Sequence, residues 1–398
     1  MSLKSTFIKK IEENLCNLEL KKLKRKRFIV SNRIKNKYFI NDKDYLSFCS
    51  NDYLGLSNDQ RLKNIFIEGI TKFGVGSGAS HLISGHSIIH SELENELSKI
   101  FLKYIHEPNT LFFSTGYMAN LAVITSLIDK ETEIFSEELN HASLIDGVRL
   151  SKAKFTKYPH LDLEFLEKSL KNSNAKNKLI VTDGVFSMDG DIAPINEMLK
   201  LCEIYGALLI IDDAHGFGVL GKKGEGILEY FSVLSSNLIY IGTLGKAAGV
   251  AGAFIVANKI LIDWLVQKAR TYIYTTASPP AIAYTLLESL KIIRSSEGIK
   301  KRQKLSLLSN KFRRFLNLQK WKYSPSLTPI QPILICDNHQ IKEANRLLME
   351  KGFWVGAIRP PTVPVGTSRL RVTFSANHSE RQVVSLAKNI LEIENKLL

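Results

Sequence analysis

The sequence is poor in cysteine and has no long hydrophobic run. Its four cysteines include no CxxC pair, so the usual zinc-binding motifs are absent and the sequence predicts no metal site. Scattered cysteines in a chain of this length are typical of reduced thiols in the cytoplasm. The most apolar stretch, residues 247–257, has eleven residues, whereas a membrane-spanning helix needs about 20. The sequence therefore predicts a soluble cytoplasmic protein without a membrane segment.

Negative charge is also scarce, because 39 acidic residues stand against 54 lysines and arginines, for a formal net charge of +15. Residues 1–40 alone carry a net charge of +9, and the densest part is residues 21–27, KKLKRKR. Such a run indicates a solvated face, a surface for an acidic substrate or carrier, or a nucleic-acid site. No aromatic residues are interleaved and no nucleic-acid module accompanies the run, so nucleic acid is the least favoured partner.

Short apolar runs alternate with amphipathic stretches between residues 51 and 283. Continuous apolar runs are typical of buried parallel strands, and amphipathic stretches such as residues 195–205 are typical of helices. The predicted strands are residues 111–113, 178–182, 208–211, 238–242 and 253–257. The pattern predicts a large α/β domain over residues 51–283 with a mainly parallel sheet.

The pattern changes on both sides of this domain. Residues 284–398 predict a smaller α+β domain, and residues 1–50 predict a basic N-terminal arm that is mostly helical, because apolar residues recur there at three- and four-residue steps. The elements predicted near and beyond the boundary are a helix over 281–316, a strand over 330–336, a helix over 340–351, a strand around Trp354, a strand over 370–375 and a last helix.

Two of the predicted strands are followed directly by residues that could take part in binding or catalysis. Residues 212–216 read DDAHG. An aspartate at the carboxyl end of a buried strand is desolvated, and a cation such as a protonated pyridine nitrogen would keep it ionised. Residues 243–249 read TLGKAAG, where Lys246 has room for a bulky partner and its desolvated amine would be nucleophilic. The alternatives are a helix cap for Asp212 and an exposed loop lysine.

Two further segments suit the same site. Residues 113–120, FSTGYMAN, place a glycine at the start of a predicted helix, where free N–H groups bind anions. His141, within ELNHAS, could stack on an aromatic ring, although a single histidine is more often an ordinary surface or core residue. Together the four segments supply a nucleophile, a partner for a ring nitrogen, a phosphate cradle and a ring cover. They indicate pyridoxal 5'-phosphate carried as a Schiff base on Lys246.

The sequence resembles the α-oxoamine synthase family of fold-type-I pyridoxal-phosphate enzymes over nearly its whole length. The resemblance runs from residues 48–56, FCSNDYLGL, to the last strand, and its most specific motifs are GVFSMDGD at 184–191, DDAHG at 212–216 and TLGK at 243–246. It implies a PLP-dependent α/β transferase whose large domain has helices on both faces of a mainly parallel sheet. It also implies a homodimer with active sites at the subunit interface.

The C-terminal motifs favour one reaction of that family. Residues 357–364, AIRPPTVP, and 368–371, SRLR, resemble the member that condenses L-alanine with a pimeloyl thioester in biotin synthesis, releasing CO2 and free thiol. Whether the donor is pimeloyl-CoA or pimeloyl-acyl carrier protein stays open. The alternatives are a member that uses glycine or serine with another acyl-CoA, and a protein that kept the fold and lost the reaction.

The resemblance also implies roles for individual residues. Lys246 would carry the cofactor and then shuttle the proton at the substrate Cα, while Asp212 would pair with the pyridine nitrogen. The cofactor's remaining contacts would be His215 at the phenolic oxygen, His141 over the ring, Ser187 at the ring edge, Gly116, Tyr117 and Thr243 at the phosphate, and Thr275 and Thr276 at the partner subunit's phosphate. The substrates would meet Arg359, which suits a carboxylate, together with Asn51, Arg25 and Thr362.

Three positions depart from the family pattern. Leu244 and Tyr117 each stand where the family has phenylalanine, and Asp183 stands where it has glutamate. None of these changes removes a catalytic group. Asp183 leaves open whether a contact made by the longer carboxylate persists.

Overall fold

The protein is described by a computed structural model that covers residues 5–324 and 326–397. Residues 1–4, the start of the predicted arm, lie outside the described residues, as do residues 325 and 398. The chain divides into two compact units. The large unit is Asn51–Leu305, and the small unit combines Met1–Ser50 with Ser306–Leu398. None of the helices in the described ranges combines the length and hydropathy needed to cross a bilayer.

The N-terminal 50 residues contain one helix and three strands. These elements are α1 (Thr6–Leu20), β1 (Val30–Ile34), β2 (Lys37–Ile40) and β3 (Lys43–Phe48). The three strands form an antiparallel meander. Its turns place Lys35, Asn41 and Asp42 at positive φ, a backbone conformation that is typical of tight hairpin turns. The prediction of a mostly helical arm is therefore wrong beyond α1, because the turn residues were not recognised as hairpin signals.

The large unit is built on a seven-stranded sheet in the order β4-β10-β9-β8-β7-β5-β6. Its strands are β4 (Pro108–Phe113), β5 (Thr132–Glu137), β6 (Lys154–Tyr158), β7 (Asn177–Asp183), β8 (Ala207–Asp212), β9 (Leu238–Thr243) and β10 (Ala253–Asn258). Only β10 runs antiparallel to its neighbours; the other pairs are parallel. The five predicted strands and the mainly parallel sheet are confirmed.

Helices alternate with these strands. They are α2 (Gln60–Phe73), α3 (Ile88–Phe101), α4 (Gly116–Leu127), α5 (Ala142–Ser151), α6 (Leu163–Lys171), α7 (Ile195–Tyr205), α8 (Ile227–Phe231), α9 (Lys259–Lys268), α10 (Arg270–Ile273), α11 (Pro280–Arg294) and α12 (Ser296–Phe315). The predicted helix over 195–205 is confirmed as α7. The single helix predicted over 281–316 is two helices, because Ser295 is extended and its hydroxyl accepts the Glu297 N–H at 3.2 Å, as an N-cap does.

The central strands are buried on both faces, and this holds their ends in place. Ile210, Ile239, Ile241 and Ile255 are completely buried in one apolar cluster with residues of α4 and α5. Burying a side chain of this size contributes about 1.5–3 kcal/mol. The close packing makes the carboxyl end of the sheet a rigid platform for side chains.

The small unit has its own sheet. Its C-terminal elements are β11 (Lys322–Tyr323), β12 (Ile330–Cys336), α13 (Asn338–Glu350), β13 (Phe353–Ile358), β14 (Ser368–Thr373) and α14 (Glu380–Leu397). Strand β3 pairs in parallel with β13, so the N-terminal meander and the C-terminal strands form one sheet. The small unit is thus discontinuous in sequence. Residues 284–305, which the sequence assigned to the C-terminal domain, belong to the large unit, and the part of them in α11 packs on α2 and α3.

Candidate active site

The carboxyl ends of β7, β8 and β9 open into a cavity of about 490 Å³ in the large unit. Because these strands are parallel, their last residues Asp183, Asp212 and Thr243 lie along one edge of the sheet, where α/β proteins bind ligands. Nine of the sequence-predicted site residues line this cavity: Asn51, Gly116, Tyr117, His141, Ser187, Asp212, His215, Thr243 and Lys246.

Asp212 is a buried carboxylate held by neutral donors. Its side chain is only 4% exposed. Asn120 Nδ2 donates to Asp212 Oδ2 at 2.6 Å, and the backbone N–H of Ala214 donates to Oδ1 at 3.0 Å. The same Asn120 amide donates to Ser143 Oγ at 2.7 Å. These contacts fix the direction of the carboxylate without neutralising it, which suits a cationic ligand group.

Lys246 stands at the end of a hydrogen-bonded chain of side chains. Its Nζ lies 3.1 Å from His215 Nε2, and His215 Nδ1 lies 2.6 Å from the hydroxyl of the buried Tyr53. The lysine follows Gly245, where an added Cβ would have no neighbour within 4 Å. The amine is therefore held in one direction, in a part of the cavity wide enough for a bulky partner.

The first residue of helix α4, Gly116, lies very close to the side chain of Thr243. Thr115 caps the helix by accepting the Met118 N–H at 3.3 Å, which leaves the preceding backbone N–H groups pointed at the cavity. A Cβ on Gly116 would lie 2.7 Å from the Thr243 methyl group. Only glycine permits this approach, and the resulting groove between the helix start and a hydroxyl suits a phosphate.

His141 caps helix α5 and lines the same cavity. Its backbone N–H donates to Asp183 Oδ2 at 2.6 Å, and its Nδ1 lies 2.7 Å from Ser143 Oγ. Burial lowers the pKa of His141, so its ring is neutral at physiological pH. Burial and the adjacent Asp212 raise the pKa of Asp183 well above its usual range. Although Asp183 is shorter than the glutamate of the family pattern, its carboxyl group reaches the backbone N–H of His141.

Similarity to known proteins agrees with this geometry. A family model described as aminotransferase class I and II matches residues 43–390. The 8-amino-7-oxononanoate synthase of Janthinobacterium sp. (strain Marseille) is 50% identical over 386 residues, which cover 97% of this chain and 98% of that protein. The chain belongs to the 8-amino-7-oxononanoate synthase family. The family lies among the class I and II aminotransferases, and its cofactor is pyridoxal 5'-phosphate.

A solved structure of an 8-amino-7-oxononanoate synthase and one of a serine palmitoyltransferase share the fold. The synthase from Francisella tularensis gives a TM-score of 0.75 at 33% identity, covering 88% of this chain and 98% of that chain. A serine palmitoyltransferase from S. paucimobilis with a bound PLP–myriocin aldimine gives a TM-score of 0.91 at 25% identity, covering 99% of both chains. The prediction of a fold-type-I PLP-dependent transferase is confirmed.

The cavity residues fit the cofactor of the 8-amino-7-oxononanoate synthase family. The Lys246 amine suits an aldehyde, the buried Asp212 carboxylate suits a protonated ring nitrogen, and the groove between Gly116 and Thr243 suits a phosphate. The phosphate groove is the most specific of these features, because a single methyl group on Gly116 would close it.

Two of the predicted phosphate residues lie elsewhere in the large unit. Thr275 and Thr276 border a small separate cavity together with His81 and Tyr272. Their predicted contact is with the phosphate of a partner subunit, so this placement leaves that prediction untested.

The remaining predicted substrate residues lie together in the small unit. Arg25, Thr362 and Arg359 line a cavity of about 430 Å³. Arg25 Nη2 donates to Thr362 Oγ1 at 3.1 Å, and Arg359 Nη1 donates to the backbone oxygen of Lys22. Burial, with the nearby Arg25, lowers the pKa of Arg359. Arg25 lies more than 300 positions before Arg359 and Thr362 in the sequence, so no local pattern predicts that it shares a cavity with them.

Sequence reasoning missed three residues that hold the predicted ones in place: Tyr53, Asn120 and Ser143. Asn120 lies four residues after Gly116, so helical spacing places both on one face of α4. Tyr53 and Asn120 lie in motifs that were recognised, and Ser143 is two residues from His141. The sequence signal was present, but it did not say which neighbour each side chain contacts.

The loop that carries Ser187 is held by an ionic triad in which Glu137 is buried and His160 and Asp191 are partly exposed. His160 Nδ1 lies 2.7 Å from Glu137 Oε1, and His160 Nε2 lies 3.2 Å from Asp191 Oδ2. The His160 ring also meets Phe186 edge-on, with the centroids 4.6 Å apart. Burial opposes the charged form, but the hydrogen bonds to Asp191 and Glu137 outweigh it and raise the pKa of His160 to about 9.

This triad predicts a pH-dependent stability. Because the pKa of His160 is higher in the folded state than in the unfolded state, the stabilisation is complete below the unfolded value of about 6.5 and is lost as pH rises through about 9. We expect His160→Gln to lower the free energy of unfolding by about 2 kcal/mol near pH 7 and by much less near pH 10. Urea unfolding of both proteins across this range measures the difference. His339→Gln, at an exposed histidine, is the control, and a loss from His160→Gln that is equal at every pH contradicts the prediction.

Proposed function

We propose that the protein catalyses the decarboxylative condensation of L-alanine with a pimeloyl thioester. The products are 8-amino-7-oxononanoate, CO2 and a free thiol, in biotin biosynthesis. The observation that carries the proposal is the 50% identity to an 8-amino-7-oxononanoate synthase over 97% of the chain. The meeting of Lys246, Asp212 and His215 in one cavity supports it.

Residues of the cavity would hold three parts of the cofactor: its ring nitrogen, its phosphate and its reactive carbon. Pyridoxal phosphate, when bound, accepts the electron pair released when a bond at the amino acid's Cα breaks. The Lys246 amine would hold the reactive carbon, and Asp212 would keep the ring nitrogen protonated. The start of α4, with Gly116, Tyr117 and Thr243, would hold the phosphate. His141 would cover the ring as a neutral, flat surface.

The chain Tyr53–His215–Lys246 can accommodate both charge states of the lysine. When the Tyr53 hydroxyl donates to His215 Nδ1, the Nε2–H group donates to a neutral lysine amine, which is the form that accepts a proton from the substrate Cα. When Lys246 is an ammonium group, it donates to Nε2, and the Nδ1–H group donates to the tyrosine oxygen. Both states keep the Tyr53–His215 and His215–Lys246 hydrogen bonds, so the lysine can take up and return a proton without breaking the chain.

Other residues would orient the substrates. Arg359 would bind the alanine carboxylate through its forked donors, and Asn51 would contact the bound amino acid. Ser187 would lie at the edge of the cofactor ring. His141 would donate to the oxygen of the thioester carbonyl as negative charge develops there. Because His141 is fixed by Asp183 and Ser143, this donor would already be oriented before the reaction begins.

The cavity of the small unit suits the acyl donor. Its walls combine the aromatic rings of Phe28 and Trp354 with cationic side chains of the run at residues 21–27 and of Lys342. An acyl chain would lie against the rings, and Arg25 with Thr362 would meet its terminal carboxylate or ester. The cations Lys24 and Lys26 would attract an acidic carrier protein.

We further propose that the protein works in the cytoplasm as a homodimer. Tyr274 is 70% exposed and Ile83 is 81% exposed, and such large apolar side chains favour burial against a partner. Thr276 is exposed beside Tyr274, a position from which it would reach a partner subunit's phosphate. Reduced cysteines suit the cytoplasm, and the four cysteines are free thiols in this structure.

The proposed reaction predicts the product and its selectivity. With L-alanine and pimeloyl-CoA or pimeloyl-acyl carrier protein, we expect mass spectrometry to detect 8-amino-7-oxononanoate. Glycine or L-serine should give less than about a tenth of that rate. The high TM-score to a serine palmitoyltransferase makes L-serine with a long-chain acyl-CoA the necessary comparison. A preference for that pair, or for glycine with another acyl-CoA, overturns the proposal.

Salt tests the role of the basic run. We expect kcat/KM with the carrier-protein donor to fall about tenfold between about 50 and about 300 mM salt, because the attraction between opposite charges is screened. Pimeloyl-pantetheine, which has no phosphate and no carrier protein, serves as the control donor and should lose far less. If kcat/KM fell equally for the two donors, residues 21–27 would have no role in binding the carrier protein and would be only a solvated face.

A further inference from the structure

Three histidines of the large unit converge outside the candidate active-site cavity. His81 begins a π-helical turn, His81–Gly85, His86 ends it, and His90 lies in the first turn of α3. Each ring offers a nitrogen atom, and these atoms all lie within 4.8 Å of one another. Neither the reaction proposed above nor the cofactor uses any of these rings.

The backbone conformation between these histidines brings their rings together. A Cβ on Gly85 would lie 2.0 Å from the backbone oxygen of Ala79, so only glycine allows the chain to close this wide turn. The turn brings His81 Nδ1 to 2.8 Å from His86 Nδ1. Ser87 then caps α3, which places His86 just before the helix and His90 in its first turn.

The spacing of the nitrogens is close to that of a tetrahedral metal site. Zinc–nitrogen bonds of about 2.1 Å at tetrahedral angles place the ligand atoms about 3.4 Å apart. The three histidines span 2.8 to 4.8 Å, so small rotations of the rings about their side-chain bonds would bring the nitrogens to that distance.

Each ring is oriented by a second contact, as metal-binding histidines usually are. His90 Nε2 donates to the Ser278 backbone oxygen at 2.9 Å, so the lone pair lies on Nδ1, the nitrogen that accepts the Ser87 N–H at 3.1 Å. His86 Nε2 lies 2.9 Å from Ser91 Oγ. His81 stacks on Tyr272, with the ring centroids 4.6 Å apart.

One proton must shift before the three rings can share a metal ion. Because His81 Nδ1 and His86 Nδ1 lie at hydrogen-bonding distance, one of these two nitrogens carries a proton, and metal binding would move that proton to Nε2 of the same ring.

We propose that His81, His86 and His90 bind one divalent first-row transition metal ion, with Zn²⁺ as the physiological ion and water as the fourth ligand. Three imidazole nitrogens favour Zn²⁺, Co²⁺ or Ni²⁺ over Mg²⁺ or Ca²⁺, which prefer oxygen ligands. The metal replaces the Ser87 N–H as the partner of His90 Nδ1, so we expect a moderate Kd, on the order of 1–10 µM.

The site would stabilise a segment next to the predicted phosphate residues. The Ala277 N–H donates to the Ala79 oxygen at 2.9 Å, and Ser80 forms a bridge with Thr276. His81 and Thr276 border the same small cavity. A metal ion held by His81 would therefore restrain the chain that carries Thr275 and Thr276, and its role is structural.

Zinc titration of the tag-free holoenzyme, freed of metal with EDTA, tests the proposal by calorimetry. We expect one Zn²⁺ per chain, and we expect His86→Phe and His81→Gln each to weaken binding at least tenfold. His106→Gln, at an exposed histidine outside the cluster, should bind zinc like the unaltered chain. Co²⁺ in place of Zn²⁺ should give the visible absorption of a tetrahedral nitrogen site, and this should be lost in both cluster variants.

Thermal unfolding gives an independent measurement. Zinc at about 100 times its Kd should raise the Tm of the unaltered chain by about 3 °C and leave both cluster variants unchanged. A variant that unfolds early without zinc still tests the proposal, because only the zinc-dependent shift is compared. No saturable binding at about 100 µM zinc, or binding that both variants retain, overturns the proposal. Neither result bears on the condensation reaction, which does not use these histidines.

Discussion

Lys246→Ala is expected to reduce turnover by at least about 10⁴-fold and to abolish the visible absorbance of the lysine-bound cofactor. The amine is both the group that would hold the cofactor and the base that would move the Cα proton, so one substitution removes two functions. Lys246 lines the cavity rather than the hydrophobic core, so the fold should tolerate its loss. Absorbance spectra and a product assay on the same preparation measure the two effects.

The control for this variant is Lys200→Ala, which removes an exposed lysine of helix α7. It should keep both the absorbance and the turnover of the unaltered chain. Borohydride reduction of the holoenzyme, followed by peptide mass spectrometry, should place the cofactor on Lys246. A label on another lysine, or full turnover by Lys246→Ala, would show that the site has been wrongly assigned.

Asp212→Asn should lower kcat by about 10³-fold while the protein still folds. The neutral amide cannot hold a proton on the ring nitrogen, so the cofactor loses most of its capacity to accept electrons. In the unaltered chain Asn120 Nδ2 donates to Asp212 Oδ2. An asparagine at position 212 can place a second donor opposite that donor, so we expect the free energy of unfolding to fall by about 1–2 kcal/mol. The charge of Asp212 helps to raise the pKa of Asp183, so this variant should lower that pKa.

Asp213→Asn is the matched control, because it changes the next residue in the same way. Asp213 is completely buried but does not line the cavity. Its Oδ2 accepts the Ile227 N–H and the Tyr240 hydroxyl, each at 2.7 Å, and an asparagine oxygen can accept both. Burial raises the pKa of Asp213 to about 7, so a neutral side chain is already close to its native state.

The comparison between these two variants separates chemistry from packing. For Asp213→Asn we expect a kcat within about threefold of the unaltered chain, with any change confined to Tm. For Asp212→Asn we expect the loss in kcat, with cofactor still bound. Similar kcat values for the two variants would contradict the role assigned to Asp212.

The strands of the large unit were predictable because each is marked by a run of consecutive apolar residues. Runs such as residues 208–211 and 238–242 are short and apolar throughout, which is typical of a strand buried on both faces. Since the ends of parallel strands meet at one edge, the same runs predicted that Asp212 and Lys246 would share a site. The recognised motifs named the cofactor residues before any distance was known.

The small unit was harder to predict, because its sheet joins residues that are distant in sequence. Strand β3 ends at Phe48, and its partner β13 begins at Phe353. No local pattern indicates that pairing, so residues 1–50 were assigned to an arm and the second domain boundary was placed about 20 residues too early. The cavity shared by Arg25 and Arg359 depends on the same pairing and was missed with it.

Residue type and order alone established the class of fold, the cofactor and the side chains that would carry the reaction, because those depend on short motifs and on the period of apolar residues. Tertiary structure alone decided the supporting contacts: Tyr53 against His215, Asn120 against Asp212, the His160 triad, and the convergence of His81, His86 and His90. Each of these contacts requires two or more segments to meet at hydrogen-bonding distance. That meeting is set by how helices pack on the sheet, which local sequence does not encode.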